Sequence, residues 1–160
     1  MKKFTRQDGF SESALLHSAV DHLGSARVLF DRSPSCFDSA GYLCHLGIEL
    51  VLKAMLLNKC DWFPDEHSLA KLSASIVKQN VKLHYGSEHE DIVRTLDKFN
   101  GLRYPQILDP IEIGDDDWCR IENLFDFLIL SLPTEMQNEL KQMDHSNKGN
   151  RILMSKKKDI

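Results

Sequence analysis

The sequence lacks the features that would place the protein in a membrane or an oxidising compartment. A membrane-spanning helix needs about 18 or more apolar residues, and the most apolar stretch, 38–58, is interrupted by His45, Glu49 and Lys53. The residues after the basic N-terminus are too polar for the apolar core of a signal peptide. The four cysteines form no CxxC pair, so they indicate no disulfide framework. We therefore expect a reduced, cytoplasmic protein that does not contact a membrane.

Common catalytic motifs are also absent. The sequence contains no GxGxxG, GxxxxGK[ST] or GxSxG, which would indicate a phosphate-binding loop or a nucleophilic serine. HExxH is missing, and no second carboxylate accompanies His45 and Glu49 at a matching spacing. A zinc site needs more ligands than these two. We expect no metal, no cofactor and no complete set of catalytic residues.

Positive charge is too scarce for a broadly basic surface. The formal net charge is -4 and the isoelectric point is about 6.0, whereas neutralising a phosphate backbone needs clustered Lys and Arg. A local basic patch remains compatible with this balance. With 160 residues, of which 42% are hydrophobic, the chain fits one globular domain.

What the sequence does contain is helical periodicity. Apolar residues recur at three- and four-residue steps, and Pro34 separates the first two helices. The first predicted helix begins near Ser11 or Ser13 and ends at Arg32. Four further helices are predicted over 38–58, 68–80, 91–100 and 115–132, followed by a short polar helix that ends near Met143. Prolines argue against a strand in the long loop 102–115. We predict an all-α, up-and-down bundle of four to five helices.

The predicted domain boundaries follow from composition. Residues 1–10 are expected to form a loose lead-in, and 11–143 a single helical domain. Residues 144–160 are rich in charge and include the run Lys156-Lys157-Lys158 near their end. Such a composition predicts a flexible tail.

The central helix carries the main candidate site. His45, Glu49 and Lys53 are four residues apart, which places them on one face. They could form a solvent-facing row of ion pairs, or a polar pocket inside the bundle. His67 could cap the third helix or contribute to such a pocket. Arg103 could bond the carbonyls at a helix end or bind an anion, with Tyr104 adding a stacking surface.

Several segments together resemble the HEPN domain (higher eukaryotes and prokaryotes nucleotide-binding). They are YLCHLGIELVLKAMLL with its ExxLKA pattern, then HSLAKL, then LDKFNGLRYP, in this order within about residues 11–132. The resemblance implies a four- to five-helix bundle that dimerises. Many members are ribonucleases of toxin–antitoxin or defence systems, and others accompany nucleotidyltransferases or bind nucleotides.

The ribonuclease members use an R-x4-6-H motif, which this sequence lacks. Arg103 is similar to the motif arginine, but positions 107–110 are Ile, Leu, Asp and Pro. The resemblance therefore implies a non-catalytic module that dimerises and binds a nucleotide, RNA or protein partner. The expected ligand-binding residues are His45, Glu49, Lys53, His67, Arg103 and Tyr104. Two alternatives remain: a ribonuclease with a rearranged active site, and a structural partner subunit of a nucleotidyltransferase. An antitoxin is a further expected partner.

Overall fold

The computed structural model describes residues 1–32, 34–103, 111 and 113–146. Within them the chain forms an all-α bundle, as predicted, together with one small two-stranded sheet. The helices are α1 (Glu12–Arg32), α2 (Phe37–Cys60), α3 (Leu69–Lys78), α4 (Ser87–Lys98), α5 (Asp115–Leu130) and α6 (Thr134–Ser146), and the strands are β1 (Lys3–Thr5) and β2 (Trp62–Pro64). Short 3₁₀ turns lie at Arg6–Asp8, Pro34–Cys36 and Phe99–Arg103.

Helix α2 is the centre of the bundle. It packs against α1, α3, α4, α5 and β2, which explains why its sequence is apolar on nearly every side. By length and composition α2 could cross a membrane, but 78% of its most apolar window is buried inside the protein. The protein itself therefore supplies the apolar surroundings that this helix needs.

Two glycines on α2 allow neighbouring side chains to approach its backbone. A Cβ atom added at Gly41 would lie 2.4 Å from Cζ of Phe99, and one added at Gly47 would lie 2.6 Å from Cγ of Leu23. Phe99 and Leu23 are both buried in the core. Because glycine has no side chain at these two positions, α2 can pack closely against α1 and against the turn that follows α4.

The N-terminal segment is not the loose lead-in that its composition predicts. Strand β1 pairs antiparallel with β2, with Phe4 opposite Phe63. The rings of Phe4, Phe10 and Phe63 lie with their centroids 5.0–5.6 Å apart. Arg6 forms ion pairs with Glu12 and Asp61. The small sheet was not predicted, because a three-residue strand is too short to produce a recognisable sequence pattern.

Helix boundaries differ from the prediction in two places. Helix α4 begins at Ser87, four residues earlier than expected, because Glu88 and Glu90 suit the positive end of its dipole. Helix α6 extends to Ser146, past the predicted domain boundary. The first helix does begin as expected, with Ser11 Oγ accepting a hydrogen bond from the Ala14 amide at 3.2 Å. Residues 147–160 and most of the loop 102–115 lie outside the described residues.

Candidate functional site

The three ionisable residues of α2 face the interior of the bundle. The exposed fractions of His45, Glu49 and Lys53 are 0%, 4% and 6%. The solvent-facing alternative is therefore wrong, and the pocket-like alternative is right about their location. Together with His67 and Asp97 they form a polar cluster between α2, α3 and α4.

Glu49 is the hub of the polar cluster. Its Oε1 accepts hydrogen bonds from Lys53 Nζ at 2.6 Å and from His67 Nδ1 at 3.0 Å, and its Oε2 lies 3.4 Å from His45 Nε2. Burial alone would raise the pKa of Glu49. The contacts with His45, Lys53 and His67 outweigh burial and lower this pKa to about 2. Glu49 is thus a carboxylate at neutral pH.

His45 connects the cluster to α4. Its Nδ1 lies 3.0 Å from the backbone oxygen of Leu96, and because a carbonyl only accepts, Nδ1 must donate. The other ring nitrogen then faces Glu49. Asp97 Oδ1 is 3.9 Å from His45 Nδ1, so two acidic groups flank this fully buried ring.

Carboxylates of the protein occupy the N-terminus of α3. Asp97 Oδ1 accepts from the Leu69 amide at 2.6 Å, and Oδ2 accepts from the Ala70 amide at 3.2 Å and from Ser68 Oγ at 3.0 Å. Glu66 Oε1 accepts from two further amides, those of His67 and Ser68. The positive end of this helix is therefore already neutralised, and it does not offer a free anion site.

Lys53 is covered by the small sheet. Its Nζ lies 5.6 Å from the centroid of the Phe63 ring, a cation–π distance. Phe63 belongs to β2 and is itself packed between Phe4 and Phe10. The Phe63 ring thus covers one side of the buried Lys53–Glu49 pair, and the N-terminal segment packs against that ring.

The structure brings together four of the six predicted site residues. His45, Glu49, Lys53 and His67 are in mutual contact through Glu49, and among them His67 alone has a substantial exposed fraction, 35% of its side chain. The backbone of Arg103 ends a 3₁₀ turn after α4. The side chain of Arg103 and all of Tyr104 lie outside the described residues.

Sequence reasoning did not identify Asp97 or Glu66 as members of this region. Asp97 reaches α3 across 28 positions of chain to the Leu69 amide, a contact that no local pattern reveals. Glu66 immediately precedes the predicted third helix, so its capping role could have been inferred from position. In the described residues, no group of three or more His, Cys, Asp and Glu side chains is arranged to hold a metal ion.

An open groove lies beside the polar cluster, between α3 and α4. This α3–α4 groove has a volume of about 470 Å³ and is lined by 70, 73, 74 and 77 of α3, by 83–85 of the connection, and by 90, 93 and 94 of α4. The sequence carries one indication of it, because Ala70, Ser73 and Ala74 are small residues that share a helix face.

The family model described as HEPN domain matches residues 13–118. The chain belongs to the HEPN domain family. The match runs from the start of α1 to the start of α5, and so contains the whole polar cluster and the α3–α4 groove. Neither a curated protein nor a solved structure matches the chain significantly. The family assignment therefore supports a helical module associated with nucleotides or RNA.

Proposed function

We propose that this HEPN domain is a non-catalytic module that dimerises and binds a nucleotide, RNA or protein partner. The proposal is supported chiefly by the burial and mutual pairing of the side chains in the polar cluster. Glu49 and Lys53 neutralise each other in the interior, and His45 is fully buried against Leu96 and Glu49. Side chains held in this way stabilise helix packing and do not reach a substrate.

The missing family motif points in the same direction. Positions 107–110, after Arg103, contain no histidine, so the proton-transfer group expected for RNA cleavage is absent from that place. A toxin–antitoxin or defence context, with an antitoxin or nucleotidyltransferase as partner, is part of this proposal. It rests on the family and not on a contact in the structure.

The dimer is also a proposal from the family. The apolar face of α5 is used within the protomer, since Ile121, Leu124, Phe125 and Leu128 are all buried. Leu130, with 76% of its surface exposed, is a large apolar residue of α5 that remains available to a second copy.

The proposal is tested by measuring cleavage, binding and mass on the same preparation. We expect no cleavage of single-stranded RNA, a dimer by light scattering at micromolar concentration, and binding of RNA or a nucleotide by fluorescence anisotropy. A monomer that binds neither ligand and captures no protein partner would contradict the proposal. RNA cleavage by the purified wild type that disappears when a residue of the protein is substituted would contradict the non-catalytic part of the proposal.

One observation favours a nuclease with a rearranged site as the second candidate. Glu49 Oε1 accepts a hydrogen bond from His67 Nδ1 at 3.0 Å, and Nε2 of the same partly exposed ring lies 3.9 Å from Asp65 Oδ1. An imidazole held between two carboxylates is a group of the kind that transfers protons in catalysis. His67→Asn keeps a hydrogen-bond donor for Glu49 but removes Nε2. If His67→Asn abolished RNA cleavage while the fold and RNA binding were unchanged, this second candidate would replace the first.

A further inference from the structure

The α3–α4 groove has the size and the walls of a small-molecule site. Its volume of about 470 Å³ lies within the ~300–1,000 Å³ typical of such sites. On the α3 side the groove is lined by Ala70, Ala74 and Val77, and on the α4 side Val93 lies between the charged residues Glu90 and Arg94. The methyl side chains of Ala70 and Ala74 leave room beside Val93 for a small ring.

Both walls are held in place without a ligand. Asp97 of α4 accepts hydrogen bonds from the Leu69 and Ala70 amides of α3, which fixes the spacing of the two helices at one end. At the other end the ring of Tyr85 packs against Phe127 of α5, with centroids 5.7 Å apart. Because the groove is preorganised, a ligand can bind without the entropic cost of ordering the side chains that line it.

The polar atoms of the groove include a hydrogen-bond acceptor whose role can be deduced. Ser73 Oγ donates to the Leu69 carbonyl at 2.7 Å, so its single proton is used. The 2.8 Å contact between Ser73 Oγ and Tyr85 Oη must then carry the Tyr85 proton. The Tyr85 oxygen keeps lone pairs with which it can accept from a ligand. Burial raises the pKa of Tyr85 to about 12, so the phenol stays protonated at neutral pH.

The charges at the rim do not select an anion. Arg94 donates to Asp91 Oδ1 at 2.7 Å and lies 4.0 Å from Glu90 Oε2, so two carboxylates balance its charge. Glu90 also lines the groove and offers a second acceptor. The groove therefore matches a ligand that donates hydrogen bonds, rather than one recognised through a phosphate.

We propose that the α3–α4 groove binds a planar heterocycle bearing an amino group, with the ring between the helices and an amino N–H donated to Tyr85 Oη. The chemistry is that of an amino-substituted purine, whether free or within a nucleoside or nucleotide. This inference rests on the proposed function for the expectation of a small ligand, and adds the site and the recognised group.

The test compares two probes of nearly equal size. Adenine carries the amino group and purine lacks it, so their difference measures what the amino group contributes to binding. A ¹⁵N–¹H titration should place the largest shifts at the amides of Ala70, Ala74 and Val93. We expect adenine to bind about fivefold tighter than purine, as one net hydrogen bond of about 1 kcal/mol gives. Adenosine and AMP, titrated in parallel, distinguish the free base from its larger forms.

Two variants and one control place the ligand. Ala74→Leu fills the groove from an exposed position and should abolish adenine binding, whereas Ala14→Leu makes the same change at an exposed position of α1 and should not. Tyr85→Phe keeps the ring and should weaken adenine about fivefold while leaving purine unchanged. Circular dichroism of each variant checks that the fold is retained.

The outcomes separate this inference from the proposed function. Equal binding of adenine and purine, shifts confined to another surface, or wild-type adenine binding by Ala74→Leu would each overturn the inference. Binding of AMP alone would overturn it too, since the phosphate would then be the recognised group. If RNA or a protein partner still bound in any of these cases, the proposed function would stand.

Discussion

At the scale of single residues, Lys53 and Glu49 show how an ion pair depends on where it lies. Both are buried, and Lys53 Nζ lies 2.6 Å from Glu49 Oε1. Glu90 and Arg94 have the same i,i+4 spacing on the surface. Glu90 Oε2 lies 4.0 Å from Arg94 Nη2, and the two side chains are 60% and 68% exposed. A buried charge that loses its partner retains the full cost of desolvation. A surface pair contributes about 0–1 kcal/mol because water and salt screen it.

This difference predicts the result of a matched pair of substitutions. Lys53→Met should lower the free energy of unfolding by about 3 kcal/mol, since the buried Glu49 carboxylate would lose the ammonium group 2.6 Å away. Arg94→Met should change it by less than about 1 kcal/mol. Urea denaturation at pH 7 measures both.

A double variant tests the cause. Glu49→Leu combined with Lys53→Met removes both charges, and should be more stable than Lys53→Met alone because no unpaired carboxylate remains. A double variant that is less stable than Lys53→Met would show that the contacts of Glu49 with His45 and His67, or packing, outweigh the cost of an unpaired carboxylate.

At the scale of elements, the approach of the Phe99 turn to α2 depends on Gly41. We expect Gly41→Ala to destabilise the protein by about 1–3 kcal/mol, because the new methyl group would overlap the fully buried Phe99 ring and force the core to shift. Thermal and urea unfolding measure the change.

Gly86→Ala is the control, since a Cβ atom there meets nothing within 4 Å and its φ of −75° suits any residue. A loss of stability at Gly86 equal to that at Gly41 would exclude the steric explanation. Phe99→Leu should relieve part of the Gly41→Ala loss, if the ring is the obstacle.

The elements also show how far the sequence predicts the structure. The helical pattern of α2 and the shared face of His45, Glu49 and Lys53 follow from a spacing of four residues. The sequence could not decide whether this face is buried, because that depends on which helices cover it. Asp97 and β1 were missed for a related reason: each acts on a partner far along the chain, and their local sequences are equally compatible with surface positions.

At the scale of the whole molecule, the polar cluster makes stability depend on pH. The pKa of Glu49 is about 2 in the folded protein against an ordinary 4.5. Its contribution is therefore fully present above about pH 4.5 and is lost as the pH falls towards 2. At about 1.4 kcal/mol for each pKa unit, the contribution is about 3 kcal/mol.

The expected result is a gap in stability that closes in acid. The free energy of unfolding of the wild type should exceed that of Glu49→Gln at pH 6, and the difference should shrink steadily between pH 4.5 and 2.5. Urea denaturation series at several pH values measure this difference. A gap of constant size over that range would show that Glu49 is not ionised in the folded protein, or that the substituted amide reproduces its contacts.

The pairing of β1 with β2 has a consequence for the order in which the molecule assembles. Arg6 bonds Asp61 across 55 positions of chain, and β1 contacts the rest of the protein chiefly through β2 and the adjacent turn. Closing so long a loop costs conformational entropy, and packing of α1 against α2 brings the two strands close and reduces that cost. During synthesis β1 leaves the ribosome well before β2 exists. Strand β1 can therefore reach its final place only after β2 has been made, and its pairing then fixes the strand whose Phe63 ring lies over Lys53.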